Sequence, residues 1–275
     1  MGRRKAPRRS PLRRDDLGFL RSVELRREEI PDFSHYPFSI PALRGLEVLP
    51  LHPRVTFFVG ENGSGKSTLL EAIAVALGFN AEGGSRNFNF ATRRSESELH
   101  QHLRLVRGIV RPNDGFFLRA ESYFNVGTEI ERLDAERANA PPILDSYGGI
   151  AIHEQSHGES FLRLADSRFR GDGLYLLDEP EAALSPARQL SFLAIIDRLV
   201  RQSSQLIIAT HSPIILAYPH AQILQFGPEG IAPIAYEETE HYQLTFDFLR
   251  HRQLFLKRLL GEPEPEPEPE PKDER

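Results

Sequence analysis

The sequence predicts an α/β fold built on a mostly parallel β-sheet, and three short segments support that prediction. Each is an apolar run of strand length followed directly by polar residues, at 55–59, 173–177 and 206–209. Runs this apolar are typical of strands buried on both faces of a parallel sheet. Because ligands bind beyond the carboxyl ends of such strands, we expect the polar residues that follow the three runs to meet at one site.

The first run leads into a glycine-rich loop with the pattern G-x-x-x-x-G-K-[ST], whose backbone N–H groups converge on a phosphate. The following helix would point its N-terminus at the same anion. In this pattern the lysine, here Lys66, contacts the β- and γ-phosphates, and the next hydroxyl, on Ser67, is a ligand for Mg²⁺. The residues predicted to bind the nucleotide are Gly60, Glu61, Asn62, Gly63, Ser64, Gly65, Lys66, Ser67 and Thr68.

The second and third runs end in side chains suited to phosphate chemistry. Asp178 and Glu179 follow the second run. They predict one carboxylate that holds Mg²⁺, Asp178, and one general base that activates the attacking water, Glu179. His211 comes two residues after the third run, where an imidazole can hydrogen-bond the γ-phosphate or the water. We therefore predict Glu179 and His211 as the catalytic residues.

The order of these elements resembles that of the ATP-binding-cassette (ABC) ATPases. That family has a signature segment, LSGGQ in transporters, shortly before the Asp-Glu strand. The corresponding segment here is 155–162, in which Ser156 and Gly158 match the family's serine and second glycine, while His157 and Glu159 depart from the pattern. The resemblance implies that Ser156 and Gly158 bind the ATP of a partner subunit, so that ATP joins two copies head to tail.

Residues from about 20 to 260 are similar to small standalone bacterial ATPases of the ABC type or AAA family, relatives of the heads of chromosome-maintenance and break-repair ATPases. The resemblance implies a P-loop NTPase fold of ABC type, with a mostly parallel core sheet, an antiparallel β part and a helical subdomain at about 92–170. It also implies hydrolysis of ATP to ADP and phosphate, with ATP and Mg²⁺ as cofactors.

Of two further elements of the ABC family, the D-loop has a matching segment here and the glutamine loop has none. The segment 181–186 resembles the D-loop, which runs along the dimer interface in that family, and Ser185 before Pro186 is also a suitable helix N-cap. A glutamine loop should lie between the P-loop helix and the signature, but no clear glutamine is found there. Glu121 is the substitute that the pattern offers.

Composition predicts one large domain, 16–260, between two disordered tails, a basic one at 1–15 and an acidic Glu-Pro one at 261–275. The resemblance implies that this domain is an ABC-type ATPase domain. Of the 275 residues 40% are hydrophobic, and the absence of cysteine excludes disulfides and thiol chemistry. The acidic body argues against a broad nucleic-acid-binding face, while the basic tail leaves nucleic acid possible as a partner. No signal-peptide core or membrane-spanning run is present, which predicts a cytoplasmic protein without a transmembrane segment.

The remaining patterns predict further secondary structure. The expected elements are strands near 19–25 and 46–51, helices at 95–106 and 128–137, a β-hairpin at 222–236 and a final amphipathic helix at about 242–260.

Three classes of function fit these observations. The first is an ATP-driven dimer switch that acts on an unknown protein partner. The second is the ATPase subunit of an ABC transporter, and the third is a DNA-repair or defence ATPase partnered with a nuclease. A nucleotide sensor without turnover is disfavoured because Lys66, Asp178, Glu179 and His211 are all present.

Overall fold

The computed structural model describes residues 18–85, 97–120 and 157–261. Their main sheet has the strand order β5-β6-β7-β3-β8-β9, in which all neighbours are parallel except β8 and β9. The predicted mostly parallel core sheet is therefore confirmed. Its strands are β3 (Val55–Val59), β5 (Asp114–Arg119), β6 (Gly173–Asp178), β7 (Gln205–Ala209), β8 (Gln222–Gly227) and β9 (Gly230–Pro233).

The antiparallel part is a second sheet with the order β2-β1-β4. Its strands are β1 (Leu20–Leu25), β2 (Val48–Pro50) and β4 (Leu103–Arg107). Strand β1 pairs with both others, so that Val23 lies opposite Leu49 on one side and Leu105 on the other. This sheet confirms the two predicted N-terminal strands.

The helix predicted at 95–106 is wrong. Residues 98–102 form a short 3₁₀ helix, and the chain then enters β4. Leu103 and Leu105 alternate with Arg104 along β4 and pair with the open edge of β1, which a strand can do and a helix cannot. Strand pairing therefore prevails over the local helical pattern, and β4 and β5 occupy sheet positions inside the predicted helical subdomain 92–170.

Helices cover both faces of the main sheet and explain its apolar strands. The helices are α1 (Pro41–Arg44), α2 (Lys66–Ala76), α3 (His157–Arg168), α4 (Pro186–Arg201), α5 (Pro213–Leu216), α6 (Glu240–Arg250) and α7 (Arg252–Leu260). Phe58 belongs to the core on the α2 face, whereas Phe57 belongs to the core on the face of α3 and α4. Consecutive residues of the central strands are thus buried on opposite faces.

The C-terminal part differs in one respect from the prediction. The hairpin is present as β8 and β9, but the single predicted helix at 242–260 is divided into α6 and α7 at His251. Several large apolar side chains of this pair, among them Leu249 and Leu259, are exposed. Within the three described ranges no helix is long and apolar enough to cross a membrane.

Several predictions concern residues outside the described ranges. The predicted basic tail lies wholly outside these ranges, and the predicted acidic tail lies outside them from residue 262 onward. The predicted helix at 128–137, Glu121 as the substitute for the glutamine loop and Ser156 of the signature also lie outside them. The boundaries of the domain and of its helical part stay predictions.

Candidate functional site

The glycine-rich loop connects β3 to α2, as the sequence predicts. Gly60 has a φ of 143°, and a Cβ there would lie 2.5 Å from the carbonyl oxygen of Phe226 on β8, so a side chain at this position is excluded. Gly65 has a φ of 100° and directly precedes α2. The loop, through Asn62, and the first turn of α2, through Thr68, line a cavity of about 320 Å³. Glu179 lines the same cavity. The N-terminus of α2 therefore faces an open space that suits phosphate groups.

Lys66 is held inside the loop. Its ammonium donates hydrogen bonds to the carbonyl oxygens of Gly60 at 2.8 Å and of Glu61 at 2.9 Å. Burial lowers the pKa of Lys66, whereas the carboxylates of Glu179, Asp178 and Glu181 act in the opposite direction. The cation is thus fixed by the loop backbone at the edge of the cavity.

Ser67 and Asp178 meet across the site although 111 positions separate them. The Ser67 hydroxyl donates to Oδ1 of Asp178 at 2.8 Å, while Nε of Arg119 lies 3.5 Å from Oδ2. Arg119 ends β5 and also pairs with Glu71 of α2. No sequence motif identifies Arg119, because its neighbour Asp178 belongs to a different strand and only the sheet register brings them together.

Glu179 adopts a backbone conformation that is uncommon for a residue with a side chain. Its φ of 51° and ψ of 51° lie in the left-handed region, and its N–H donates to the Ala209 carbonyl at 2.9 Å. This conformation turns the chain away from the direction of β6, which ends at Asp178. As a result, its carboxylate Oε1 lies 3.5 Å from Nε2 of His211.

Glu181 supports the loop that carries His211. Its half-buried carboxylate accepts hydrogen bonds from the Thr210 hydroxyl at 2.7 Å and from the His211 backbone N–H. Burial raises the pKa of Glu181, and these two hydrogen bonds oppose that effect. The sequence assigned Glu181 only to the D-loop, and no local pattern links it to a loop about thirty residues away.

The predicted residues are therefore partly brought together. The P-loop, Asp178, Glu179 and His211 share one edge of the sheet at the ends of β3, β6 and β7. Gly158 lies elsewhere, at the start of α3, where a Cβ would be 2.7 Å from the Ala183 carbonyl oxygen. Of two aromatic side chains that precede the P-loop, Phe38 is buried in the core, whereas Tyr36 is 63% exposed and borders the cavity.

Comparisons with known proteins find AAA domains and ATP-binding proteins among the sequences similar to this chain. One family model, for an AAA domain, matches residues 35–140, and a second, described as "AAA domain, putative AbiEii toxin, Type IV TA system", matches 143–217. The cobalt import ATP-binding protein CbiO of Salmonella typhi is 29% identical over 82% of this chain and 90% of its own length. The cell division ATP-binding protein FtsE of Mycobacterium tuberculosis is 28% identical over 62% of this chain and 78% of its own.

Solved structures give weaker likenesses. The SMC head domain from Thermotoga maritima has a TM-score of 0.43 at 16% identity, covering 79% of this chain and 99% of that one. CbiO1 from Clostridium perfringens has a TM-score of 0.45 at 16% identity, covering 89% of this chain and 100% of that one. The family models and sequence relatives define the class, and the chain is a P-loop ATPase. Its sequence is similar to those of ABC-type and AAA-domain ATPases, and it binds and hydrolyses ATP.

The environment of His211 predicts a pH dependence of stability. Burial, together with the charge of Lys66 and the ring of His241, lowers the pKa of His211 to about 4. In the unfolded chain a histidine takes up its proton near pH 6.5, so the folded state loses stability as the pH falls below that value. Between pH 7.5 and 5.5 the variant His211→Asn should lose about 1 kcal/mol less of its free energy of unfolding than the parent.

Denaturant titrations at the two pH values measure this difference. His251→Asn, which removes an exposed histidine, is the matched control. Equal losses in the parent and in His211→Asn would contradict a buried, neutral imidazole at this position.

Proposed function

We propose that the chain is an ATP-driven conformational switch. Two copies would bind two ATP molecules head to tail, hydrolysis would separate them, and the motion would act on a protein partner. The observation that supports this most directly is the meeting of Lys66, the Asp178-Glu179 pair and His211 at one sheet edge. One cation, two carboxylates and one imidazole beside a helix N-terminus are the groups that phosphoryl transfer to water requires.

The donor set at this edge fits Mg²⁺. Ser67 and Asp178 offer a hydroxyl and a carboxylate oxygen, both hard ligands, and their 2.8 Å contact brings the two oxygens to the same spot. We assign both residues to Mg²⁺, which when bound neutralises charge on the β- and γ-phosphates. Within the described ranges no cluster of three or more acidic or histidine side chains could form a metal site without the nucleotide.

The remaining groups then divide the work on the phosphate and the water. Lys66 would bind the β- and γ-phosphates, exchanging its two backbone carbonyls for phosphate oxygens. Glu179, half exposed at the cavity, would take a proton from the attacking water. His211 would donate a hydrogen bond to the γ-phosphate or to that water, and Glu181 would hold its loop in place.

The packing of Gly158 supports a second half-site on each subunit. A Cβ at Gly158 would lie 2.7 Å from the carbonyl oxygen of Ala183, in the segment that follows the Asp-Glu pair, and equally close to Nη1 of Arg188 on α4. The start of α3, where the signature resemblance lies, is thus adjacent to the segment that resembles the D-loop. Both elements line the dimer interface in the ABC family, so their proximity supports the same use here.

The relatives make a second candidate worth testing, the ATP-binding subunit of an importer. CbiO is named as a cobalt import protein and matches 82% of this chain. The description of the second family model instead mentions a toxin of a toxin–antitoxin system, which favours the defence class. Purifying the native protein from its host together with its bound partner distinguishes the two candidates. A membrane permease as partner would indicate an importer, and a nuclease would indicate the defence class. A cytoplasmic location and contact with nucleic acid stay predictions.

Replacing the signature serine tests the dimer directly. The variant Ser156→Arg should bind ATP with affinity within a few-fold of the parent, yet stay monomeric with ATP and hydrolyse at least about 10-fold more slowly, because the missing partner contacts act on the transition state. Light scattering after size-exclusion chromatography, with and without Mg-ATP, measures the assembly. Ser167→Arg, the same change at an exposed site on the far end of α3, is the control.

The assay is most sensitive in a background that cannot turn over. Glu179→Gln should accumulate an ATP-bound dimer, and adding Ser156→Arg should abolish it. A Ser156→Arg monomer with full activity would mean that each subunit hydrolyses ATP alone.

A further inference from the structure

His241 belongs to α6, far along the chain from the P-loop, yet its ring contacts His211. Its Nε2 lies 2.8 Å from Nδ1 of His211, and the ring centroids are 4.9 Å apart. The two histidines, together with Glu61, Asn62 and Leu244, border a cavity of about 470 Å³ beside the nucleotide site. The contact therefore joins α6 to the predicted catalytic edge.

The first turn of α6 is held firmly against the His211 loop. The buried Thr239 caps the helix by accepting a hydrogen bond from the Tyr242 N–H. Tyr236, which packs against Tyr242 at 4.7 Å between centroids, donates its hydroxyl to the Pro213 carbonyl, two residues after His211. These contacts fix the position of His241 relative to His211.

A hydrogen bond between two neutral imidazoles contains one proton, so it has two possible directions. Burial lowers the pKa of both rings, which keeps them neutral near pH 7. If His241 donates from Nε2, then His211 accepts at Nδ1 and carries its own proton on Nε2. If His211 donates instead, its Nε2 has no proton.

The environment of the other nitrogen distinguishes the two directions. Nε2 of His211 is buried, has no hydrogen-bond partner among the described residues and lies 3.5 Å from Oε1 of Glu179. Carboxylate and phosphate oxygens only accept hydrogen bonds, so this nitrogen can bind them only when it carries the proton. The direction from His241 to His211 is the one that prepares the site for a γ-phosphate.

We propose that His241 is a positioning residue that donates its Nε2–H to Nδ1 of His211 and thereby keeps the His211 proton on Nε2, facing Glu179 and the γ-phosphate. This role rests on the proposed part of His211 in ATP hydrolysis. A partner that orients a functional imidazole through its second nitrogen is a recurring device, and its loss costs about 10-fold or more in activity.

Steady-state kinetics test the effect on turnover. His241→Phe should lower kcat about 10-fold while KM for ATP changes less than twofold, because the P-loop contacts stay intact. His241→Gln, whose amide can donate to Nδ1, should restore most of kcat. His251→Phe, at the exposed junction between α6 and α7, is the matched control and should keep the parent kcat.

Each kinetic outcome is decisive. Unchanged kcat in His241→Phe, or a similar loss in His251→Phe, overturns the proposal. Failure of His241→Gln to restore activity while it remains folded overturns it as well, because packing alone would then explain the loss. If the phenylalanine variant does not fold, His241→Asn replaces it, since the shorter amide cannot reach Nδ1.

Long-range ¹H–¹⁵N NMR of the imidazole rings gives a readout that needs no turnover. In the nucleotide-free parent the His211 resonances, assigned by their loss in His211→Asn, should show the proton on Nε2. In His241→Phe the proton should move at least partly to Nδ1. A parent with the proton on Nδ1 refutes the proposal even if ATP is hydrolysed, whereas the expected tautomer in a chain whose turnover ignores His211 would contradict only the proposed function.

Discussion

Glu179→Gln is expected to lower kcat for ATP hydrolysis by at least about 10²-fold, the amount typical of losing a positioned general base. The amide has nearly the same shape as the carboxylate but cannot accept a proton from water. It also suits the backbone, because Gln can occupy the left-handed conformation of Glu179 no worse than Glu can. ATP binding should therefore be retained.

Two measurements separate chemistry from binding in this variant. Single-turnover hydrolysis reports the chemical step, and calorimetric titration with Mg-ATP reports affinity, which should stay within a few-fold of the parent. Glu229→Gln, the same change in the exposed turn between β8 and β9, is the control. If turnover of Glu179→Gln falls only a few-fold, another group is the base, and His211, 3.5 Å away, is the first to test.

The parts of the site that were predictable are those in which sequence neighbours act together. In a P-loop the strand, the loop and the helix are contiguous, so spacing alone identifies Lys66 and Ser67. The apolar strands before Asp178 and His211 likewise determine the sheet edge at which these residues emerge. The topology then brings the Ser67 hydroxyl within 2.8 Å of the Asp178 carboxylate. That both hold Mg²⁺ stays a prediction.

Residues whose role depends on a partner elsewhere in the chain were missed. Arg119 reaches Asp178 only through the register of β5 with β6, and His241 reaches His211 only because α6 packs beside the His211 loop. Neither residue lies in a motif. The error at 95–106 has the same origin, because β4 is stabilised by pairing with β1, more than seventy residues before it.

Lys66→Ala is expected to weaken ATP binding by about 2 kcal/mol or more, which corresponds to about 30-fold in Kd. The ammonium is the cation that the loop holds at the cavity, and burial has already removed most of its water. Phosphate oxygens therefore replace two backbone carbonyls rather than a hydration shell, which favours binding. Alanine leaves the β- and γ-phosphates without this partner, and the lower occupancy alone should reduce hydrolysis about 15-fold at ATP concentrations near the parent's KM.

The same substitution also changes the empty loop, so binding and folding must be measured separately. Without the ammonium, the carbonyls of Gly60 and Glu61 lose their donor, and the three nearby carboxylates lose a favourable positive charge. A lower thermal midpoint is thus expected beside the weaker binding, while Lys257→Ala on α7 should change neither. ADP lacks the γ-phosphate, so its affinity measures the effect of the altered loop with fewer phosphate contacts to Lys66. If the affinity for ADP falls less than the affinity for ATP, the lost phosphate contact contributes beyond the loss of stability. An unchanged Kd for ATP in folded Lys66→Ala would show that the nucleotide binds somewhere other than this loop.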